Sequence, residues 1–204
     1  MYKVSVIIPC YNQEELVIKA LDSIPKRNDV QIIVIDDGST DDSWTSIRAW
    51  YVRNFGRAVT IINFSENVGV AAAVNKGYDE ADGEYVVCLG SDDYFYPEAF
   101  EKCMEELDGT DLVYFDMEVN NGDIWDINEK SKLLLCGSVK FIRREFLGDT
   151  RCPIHKITGE DRPFNEELLR KNPTEKYTHL VVKHYNHPRE GSLTDRVRKG
   201  ELSD

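Results

Sequence analysis

The sequence lacks several features that would place it in a special class of protein. No apolar run approaches the roughly 20 residues that a membrane-spanning helix needs. The N-terminus begins a strand-like run at once, without the basic and apolar leader of an export signal. We therefore expect a cytoplasmic protein. The 204 residues, 41% of them hydrophobic, suffice for one medium-sized domain with its own core.

Cysteine and positive charge are both scarce. The five cysteines are an odd number, widely spaced, and include no C-x-x-C pair. This favours buried, reduced thiols over a disulfide framework or a metal cluster. Acidic residues outnumber basic ones by 37 to 25, which gives a net charge of −12. Nucleic acid is therefore a disfavoured partner, because nonspecific binding relies on Lys and Arg to neutralise phosphates.

The first 116 residues alternate between strand-like and helix-like patterns. Asn12 with Glu15 predicts the cap of the first helix, and Pro97 predicts the start of a later one. The alternation predicts an α/β fold with a central, mostly parallel sheet flanked by helices. Apolar runs that suit strands buried on both faces occur at 4–8, 30–35, 59–62, 85–89 and 112–115, and a last strand is predicted at 177–184.

Acidic side chains follow two of the predicted strands. Asp36 and Asp37 come after the second strand, and Asp92 and Asp93 come after the fourth. Ligands of open α/β sheets bind at the carboxyl ends of the strands, and crowded carboxylates need a cation or hydrogen-bond donors nearby. Mg²⁺ and Mn²⁺ favour such oxygen ligands. Alternatively, the first pair caps the next helix and the second forms an ordinary turn.

Together these motifs resemble those of the family 2 glycosyltransferases. The resemblance implies a GT-A-type, Rossmann-like nucleotide-binding fold. It also implies inverting, hexosyl-type transfer of a sugar from a nucleotide-diphosphate donor, a UDP-sugar in the first instance, to an acceptor hydroxyl. The segments that carry it are VSVIIPCYN at 4–12, VIDDGSTD at 34–41, NVG at 67–69, NKG at 75–77, GEY at 83–85, SDD at 91–93, GED at 159–161 and residues 185–194.

The resemblance implies a division of the chain and roles for donor-binding residues. Residues 1–116 would bind the nucleotide-sugar and the metal, 117–194 would form the acceptor-side half of the same domain, and 195–204 would be a charged tail. By the same resemblance, Pro9 and Tyr11 would line the base pocket, with Tyr11 stacked on uracil. Asp37 would accept from the base N3–H, and Arg189 and Ser192 would contact the diphosphate.

The resemblance also implies a metal site and a catalytic base. Asp92 would hold the ribose or sugar, and Asp93 and Asp92 would ligate Mn²⁺ or Mg²⁺, with His187 as a further candidate ligand. As an exposed acid at the rim, Asp93 should contribute little to stability. Asp161 is the candidate base that deprotonates the acceptor hydroxyl. Alternatively, Asp161 caps the following helix and Glu160 is the base.

Two departures from the family pattern and two other functions bear on this hypothesis. Gly90 stands where many relatives carry the first acid of an Asp-x-Asp motif. The Gln/Arg-x-x-Arg-Trp motif of processive synthases is absent, so we expect a single addition. A nucleotidyltransferase would share the strand–helix alternation but would carry a glycine-rich basic loop where PCYN stands at 9–12. An inactive sugar-nucleotide-binding protein is the other alternative. Neither the acceptor nor the oligomeric state can be deduced from the sequence.

Overall fold

The structure, a computed structural model, describes residues 1–127, 136–154, 161–192, 195–196 and 199–200. One mixed sheet runs through it, with helices against its faces. The strands are β1 (Tyr2–Cys10), β2 (Val30–Asp36), β3 (Ala58–Asn63), β4 (Gly83–Cys88), β5 (Tyr94–Phe95), β6 (Leu112–Val119), β7 (Ile124–Trp125), β8 (Lys140–Arg143) and β9 (Glu175–Tyr185). The helices are α1 (Leu16–Asp22), α2 (Ser43–Arg53), α3 (Val70–Asp79), α4 (Pro97–Glu105), α5 (Arg144–Leu147) and α6 (Asp161–Arg170).

The sheet confirms the predicted fold class. Its strand order is β3-β2-β1-β4-β8-β6-β9-β5, with β7 paired to β6. β1 to β4 are parallel neighbours, whereas β8, β7 and β5 join the sheet antiparallel. Ile7 and Ile8 of β1 are completely buried, because a strand between two others with helices outside must be apolar on both faces.

The helices pack closely enough to need particular small residues. α3 lies over β1, and a Cβ atom on Gly77 would come within 2.2 Å of Ile7 Cγ2. Pro97 opens α4 as predicted. The predicted cap of α1 is wrong, because no side chain caps that helix. Asn12 instead has a positive φ of 52°, and its Oδ1 accepts a hydrogen bond of 2.8 Å from the amide of Thr40.

β9 ties the second part of the chain to the first. It runs from Glu175 to Tyr185, longer than predicted, and lies parallel to β6 and antiparallel to β5. α6, predicted over 164–170, begins at Asp161 among the described residues. No helix in the described ranges is both long enough and apolar enough to span a bilayer.

The cysteines confirm the prediction of reduced thiols. In the part of the chain that the structure describes, no disulfide joins any of the five, and Cys10, Cys103, Cys136 and Cys152 are buried. Burial raises the pKa of Cys10 and of Cys103 to about 12, so both stay protonated and unreactive near neutral pH. Cys88 is less buried than predicted, since it lies at the end of β4 and lines the cleft described next.

Candidate active site

A cleft of about 410 Å³ opens at the carboxyl ends of β1 and β4. Its position agrees with the rule that open α/β sheets bind ligands at this edge. Residues of both 1–116 and 117–194 contribute to its wall. The lining residues are Pro9, Val70, Val74, Tyr78, Cys88, Leu89, Gly90, Asp92, Asp93, Trp125, Cys136, Gly137, Ser138, Cys152, Asp161, Phe164, Tyr185, Asn186, His187 and Ser192. The cleft therefore brings together most of the residues that the sequence singles out.

The rim beside the cleft is built by the two acids that follow β2. Asp36 accepts hydrogen bonds from the amide and hydroxyl of Ser39. Asp37 is buried, and it accepts from the side chain of Asn67 at 3.0 Å and from the amides of Val68 and Gly69 at 2.9 Å each. These bonds join the end of β2 to the loop before α3. A carboxylate has about four lone-pair sites, so these three bonds leave about one acceptor position of Asp37 unused.

Tyr11 follows β1 and lies at the same rim, since β1 and β2 are adjacent and in register up to Cys10 and Asp36. Its side chain is 39% exposed. The ring is therefore accessible to a planar partner, as a stacking role in a base pocket requires.

Asp93 is not the exposed rim acid that the sequence suggests. Its side chain is 4% exposed and forms an ion pair of 3.1 Å with Lys183, whose side chain is completely buried. The other carboxylate oxygen accepts the amide of Asn186 at 2.9 Å, and Lys183 also donates to Ser138 at 2.6 Å. Burial alone would lower the pKa of Lys183, but the carboxylate of Asp93 raises it above the ordinary lysine value. The expectation that Asp93 is exposed and contributes little to stability is therefore wrong, because the carboxylate is buried and paired with a buried ammonium group.

Asp92 is paired in a more open position. Arg189 donates to one of its oxygens from Nε at 3.1 Å and from Nη2 at 2.8 Å. The two side chains are 24% and 22% exposed, respectively. The segment that carries Arg189 is anchored by Asn120, whose side chain donates to the carbonyl of Pro188. Ser192 lines the same cleft, and its hydroxyl accepts the amide of Asp195.

Asp161 enters the cleft from the start of α6. Burial raises its pKa above the ordinary aspartate value, although Lys140 and a hydrogen bond from the amide of Gly137 oppose that shift. Gly137 is required by the close approach, because a Cβ atom there would lie 2.2 Å from Asp161 Oδ1. Asp161 thus bonds to a neighbouring segment rather than serving only its own helix. Gly159 and Glu160, the rest of the acidic motif, lie outside the described residues.

The cleft carries two side chains of the chemical types that bind divalent cations. Asp92 offers carboxylate oxygen and His187 offers imidazole nitrogen, and both side chains line the cleft. Both are ligand types that Mn²⁺ accepts, and Mg²⁺ favours the carboxylate. The guanidinium that Asp92 holds in this structure shows that the carboxylate stabilises positive charge there.

A second group of potential ligands lies away from the cleft. Asp116, Asp126 and His179 have ligand atoms within 4.8 Å of one another. Asp116 also accepts the amide of Ile127 at 3.0 Å. None of the three is among the described residues that line the cleft. The bond from the amide of Ile127 to Asp116 joins β6 to the chain that follows β7.

Sequence reasoning missed three residues of the site. Lys140 and Lys183 are buried in β8 and β9, and Trp125 lines the cleft from β7. Lys140 donates to Asn165 at 2.7 Å. A lysine inside an apolar strand is a signal that could have indicated a buried partner. No such signal marks Trp125, because β7 is only two residues long.

The family assignment follows from comparison with known proteins. The model of glycosyl transferase family 2 matches residues 5–171. The chain belongs to this family. The match favours the glycosyltransferase hypothesis over the nucleotidyltransferase alternative.

Individual relatives differ in how much of their length the chain spans. A PGL/p-HBAD biosynthesis glycosyltransferase of Mycobacterium bovis is 30% identical over 199 positions, covering 89% of this chain and 76% of that protein. A GalNAc(5)-diNAcBac-PP-undecaprenol beta-1,3-glucosyltransferase of Campylobacter jejuni is 28% identical, covering 95% and 68%. An uncharacterized glycosyltransferase of Rickettsia felis is 36% identical over 138 positions, but the chain spans only 21% of it.

Solved structures share the fold. S. aureus TarS in complex with UDP-GlcNAc superposes with a TM-score of 0.79 at 22% identity, over 94% of this chain and 60% of that one. The mannosyltransferase PcManGT from Pyrobaculum calidifontis, in complex with GDP-Man and Mn²⁺, gives a TM-score of 0.76 at 21% identity, over 98% and 61%. These likenesses show the GT-A fold of the chain.

The two neighbouring acids should differ in their effect on stability. Replacing Asp93 with Ala is expected to lower the free energy of unfolding by about 3–5 kcal/mol, because Lys183 would stay buried without its carboxylate. The matched variant Asp92→Ala breaks an ion pair that water reaches, and it should cost less than about 1 kcal/mol. Urea unfolding followed by circular dichroism measures both. Equal losses in the two variants would contradict the structural role of Asp93.

Proposed function

We propose that this chain transfers a single sugar from a nucleotide-diphosphate donor, a UDP-sugar in the first instance, to an acceptor hydroxyl with inversion and with a divalent cation. One observation carries the proposal. Asp92, which forms an ion pair with Arg189, and the carboxylate of Asp161 line a single cleft at the carboxyl ends of β1 and β4. In the proposal, residues 1–116 bind the donor and 117–194 supply the acceptor side.

The nucleotide would lie along the rim formed by β1 and β2. Tyr11 offers an accessible ring for the base, and Asp37 has one acceptor position left for a base N–H. Pro9 lines the adjoining wall of the cleft. The proteins of similar fold bind UDP-GlcNAc or GDP-Man. We place the uracil donor first because the rim resembles that of enzymes that use it.

The diphosphate and the cation would meet at Asp92. In this proposal Asp92 and His187, which line the same cleft, hold Mn²⁺ or Mg²⁺, because Asp93 is paired with Lys183. When bound, the cation neutralises the charge of the leaving diphosphate. Arg189 leaves Asp92 for the phosphates, and Ser192 contacts them from the same segment. Arg189 thus exchanges one anion for another, and its charge is never left buried without a partner.

In the proposed transfer step, Asp161 accepts the proton of the acceptor hydroxyl. The acceptor hydroxyl oxygen forms a bond to the anomeric carbon of the sugar while the bond from that carbon to the diphosphate oxygen breaks. The electron pair of the broken bond leaves with the diphosphate, and the hydroxyl proton passes to the Asp161 carboxylate. Burial raises the proton affinity of this carboxylate, as expected for a general base working near neutral pH.

A panel of nucleotide sugars tests the proposed function. We expect UDP release from at least one UDP-sugar in the presence of Mn²⁺ or Mg²⁺ and none after EDTA treatment, since the leaving diphosphate would lack its counter-charge. Nucleoside diphosphate release is measured enzymatically, with GDP- and CDP-sugars in parallel. Binding without release from any donor would favour the inactive sugar-nucleotide-binding protein. Pyrophosphate release from nucleoside triphosphates would favour the nucleotidyltransferase.

Asp161→Asn tests the base. The amide keeps the size and the oxygen that accepts from Gly137, but it cannot take a proton. We expect kcat/KM for transfer to fall about 10²–10⁴-fold with an unchanged melting temperature and donor affinity. In the wild type, kcat/KM should fall as the pH drops through the raised pKa of Asp161, above the range of an ordinary aspartate. The control Glu166→Gln changes an exposed acid of the same helix. Full activity in Asp161→Asn would shift the role to Glu160.

The Arg189→Gln variant should change the affinity for the cation and the affinity for the donor in opposite directions. Without the guanidinium, Asp92 loses its positive partner, so Mn²⁺ should bind the donor-free protein more tightly, by about 0.2–1 kcal/mol. UDP affinity should fall in the same variant, because the phosphates lose a cation. Calorimetry measures both, with Arg170→Gln as a remote variant of equal charge change. If the two affinities fell together, or only one changed, the exchange of Arg189 between Asp92 and phosphate would be refuted.

A further inference from the structure

We propose that the acceptor is a neutral sugar ring and that Trp125 is the aromatic surface on which this ring stacks. The inference rests on the proposed function and adds the chemical class of the second substrate. Trp125 lines the cleft together with Asp161, the proposed base. A sugar whose hydroxyl faces Asp161 would therefore lie within the space that the indole borders. Trp125 then acts as a specificity-determining residue for transfer.

The indole is held in place from two sides. Backbone pairing sets Trp125 opposite Met117 of β6, and the buried carboxylate of Asp116 binds the amide of Ile127 just beyond it. The ring meets Tyr185 of β9 nearly edge-on, with centroids 5.9 Å apart and planes at 63°. A rigid aromatic ring loses little conformational entropy on binding.

Trp125 stays half-buried despite these contacts. Tyr78 and Phe164, the other large rings of the wall, stack on each other and are 5% and 1% exposed. Trp125 and Tyr185 are therefore the large aromatic rings of the cleft that a ligand can reach, among the described residues. Ligand sites commonly combine such apolar surfaces with a few polar groups. A pyranose has the matching form, with an apolar face of C–H groups and a rim of hydroxyls.

The charge of the cleft favours a neutral ring over an anionic acceptor. The described lining residues include the carboxylates of Asp92, Asp93 and Asp161 and neither lysine nor arginine. Lys183 is completely buried and already bound to Asp93 and Ser138. Lys140, which acts electrostatically on Asp161, is also buried and donates to the carbonyl of Gly137 and to Asn165. Arg189 is held at Asp92, on the donor side. A phosphate or carboxylate on the acceptor would thus face carboxylates without an available cation in this part of the structure.

Four variants and two acceptor sets test the inference. The acceptors are p-nitrophenyl glucoside, galactoside and N-acetylglucosaminide on one side, and p-nitrophenyl glucuronide and glycerol phosphate on the other. The variants are Trp125→Phe, Trp125→Leu, Trp125→Ala and the neighbouring control Ile124→Ala. Leu keeps an apolar side chain without an aromatic face, so it separates stacking from packing. Donor hydrolysis without acceptor is measured for each variant, together with the melting temperature.

We expect transfer to at least one neutral pyranoside and to neither anionic acceptor. The KM for that pyranoside should rise at least tenfold in Trp125→Leu and Trp125→Ala and less than threefold in Trp125→Phe. Because the indole also lies edge-on to His187, with ring centroids 6.5 Å apart, transfer by each variant is normalised to that variant's own rate of donor hydrolysis. The pyranoside should also quench tryptophan fluorescence in the UDP-bound wild type and not in UDP-bound Trp125→Phe. Transfer to an anionic acceptor, an unchanged KM in Trp125→Leu, or donor hydrolysis without transfer to any pyranoside would overturn the inference. Absence of donor turnover altogether would instead contradict the proposed function.

Discussion

The buried ion pair of Asp93 and Lys183 joins two parts of the chain that lie 90 residues apart. It connects the loop after β4, on the proposed donor side of the cleft, to β9, which precedes the segment with Arg189. The same carboxylate accepts the amide of Asn186, and the same ammonium donates to Ser138. Four chain positions are thus fixed around one pair of opposite charges. The cost of desolvating these charges is offset only when all of the contacts form together, so the cleft forms as a unit.

Adjacent acids in the sequence therefore have opposite physical characters. Asp93 is sealed from water and its partner is permanent, whereas Asp92 is accessible and its partner is on a loop at the surface. An accessible carboxylate can change partners at small cost, because water stabilises the intermediate arrangement. A buried one cannot. The turn after β4 thus has two roles. Asp93 fixes the fold through Lys183, and Asp92 is the proposed site at which Arg189 is exchanged for a cation during binding.

The sequence predicts the first half of the fold well because its strands are buried on both faces. An apolar run such as residues 30–35, placed between segments with helical periodicity, is readily interpreted as a strand buried on both faces. Prediction was weaker where local pattern does not determine the partner. Nothing in Ser91-Asp92-Asp93 shows which acid turns inward, since the deciding ammonium is that of Lys183. Asn12 was assigned to a helix cap by its spacing, but a positive φ directs its side chain to Thr40. The two-residue strand β7 is too short to produce a periodic signal.

The position of β9 has a consequence for synthesis of the chain. β9 is the last of the described strands in sequence order, yet it lies between β6 and β5 in the sheet. While the ribosome is still making residues 175–185, β6 lacks a neighbour along one edge, and β5 lacks the described strand with which it pairs. Open strand edges promote association between chains. At that stage Asp93 also lacks its counter-charge. The unfinished chain therefore exposes more open strand edge than the described fold does, and partly folded chains of this kind are prone to aggregate.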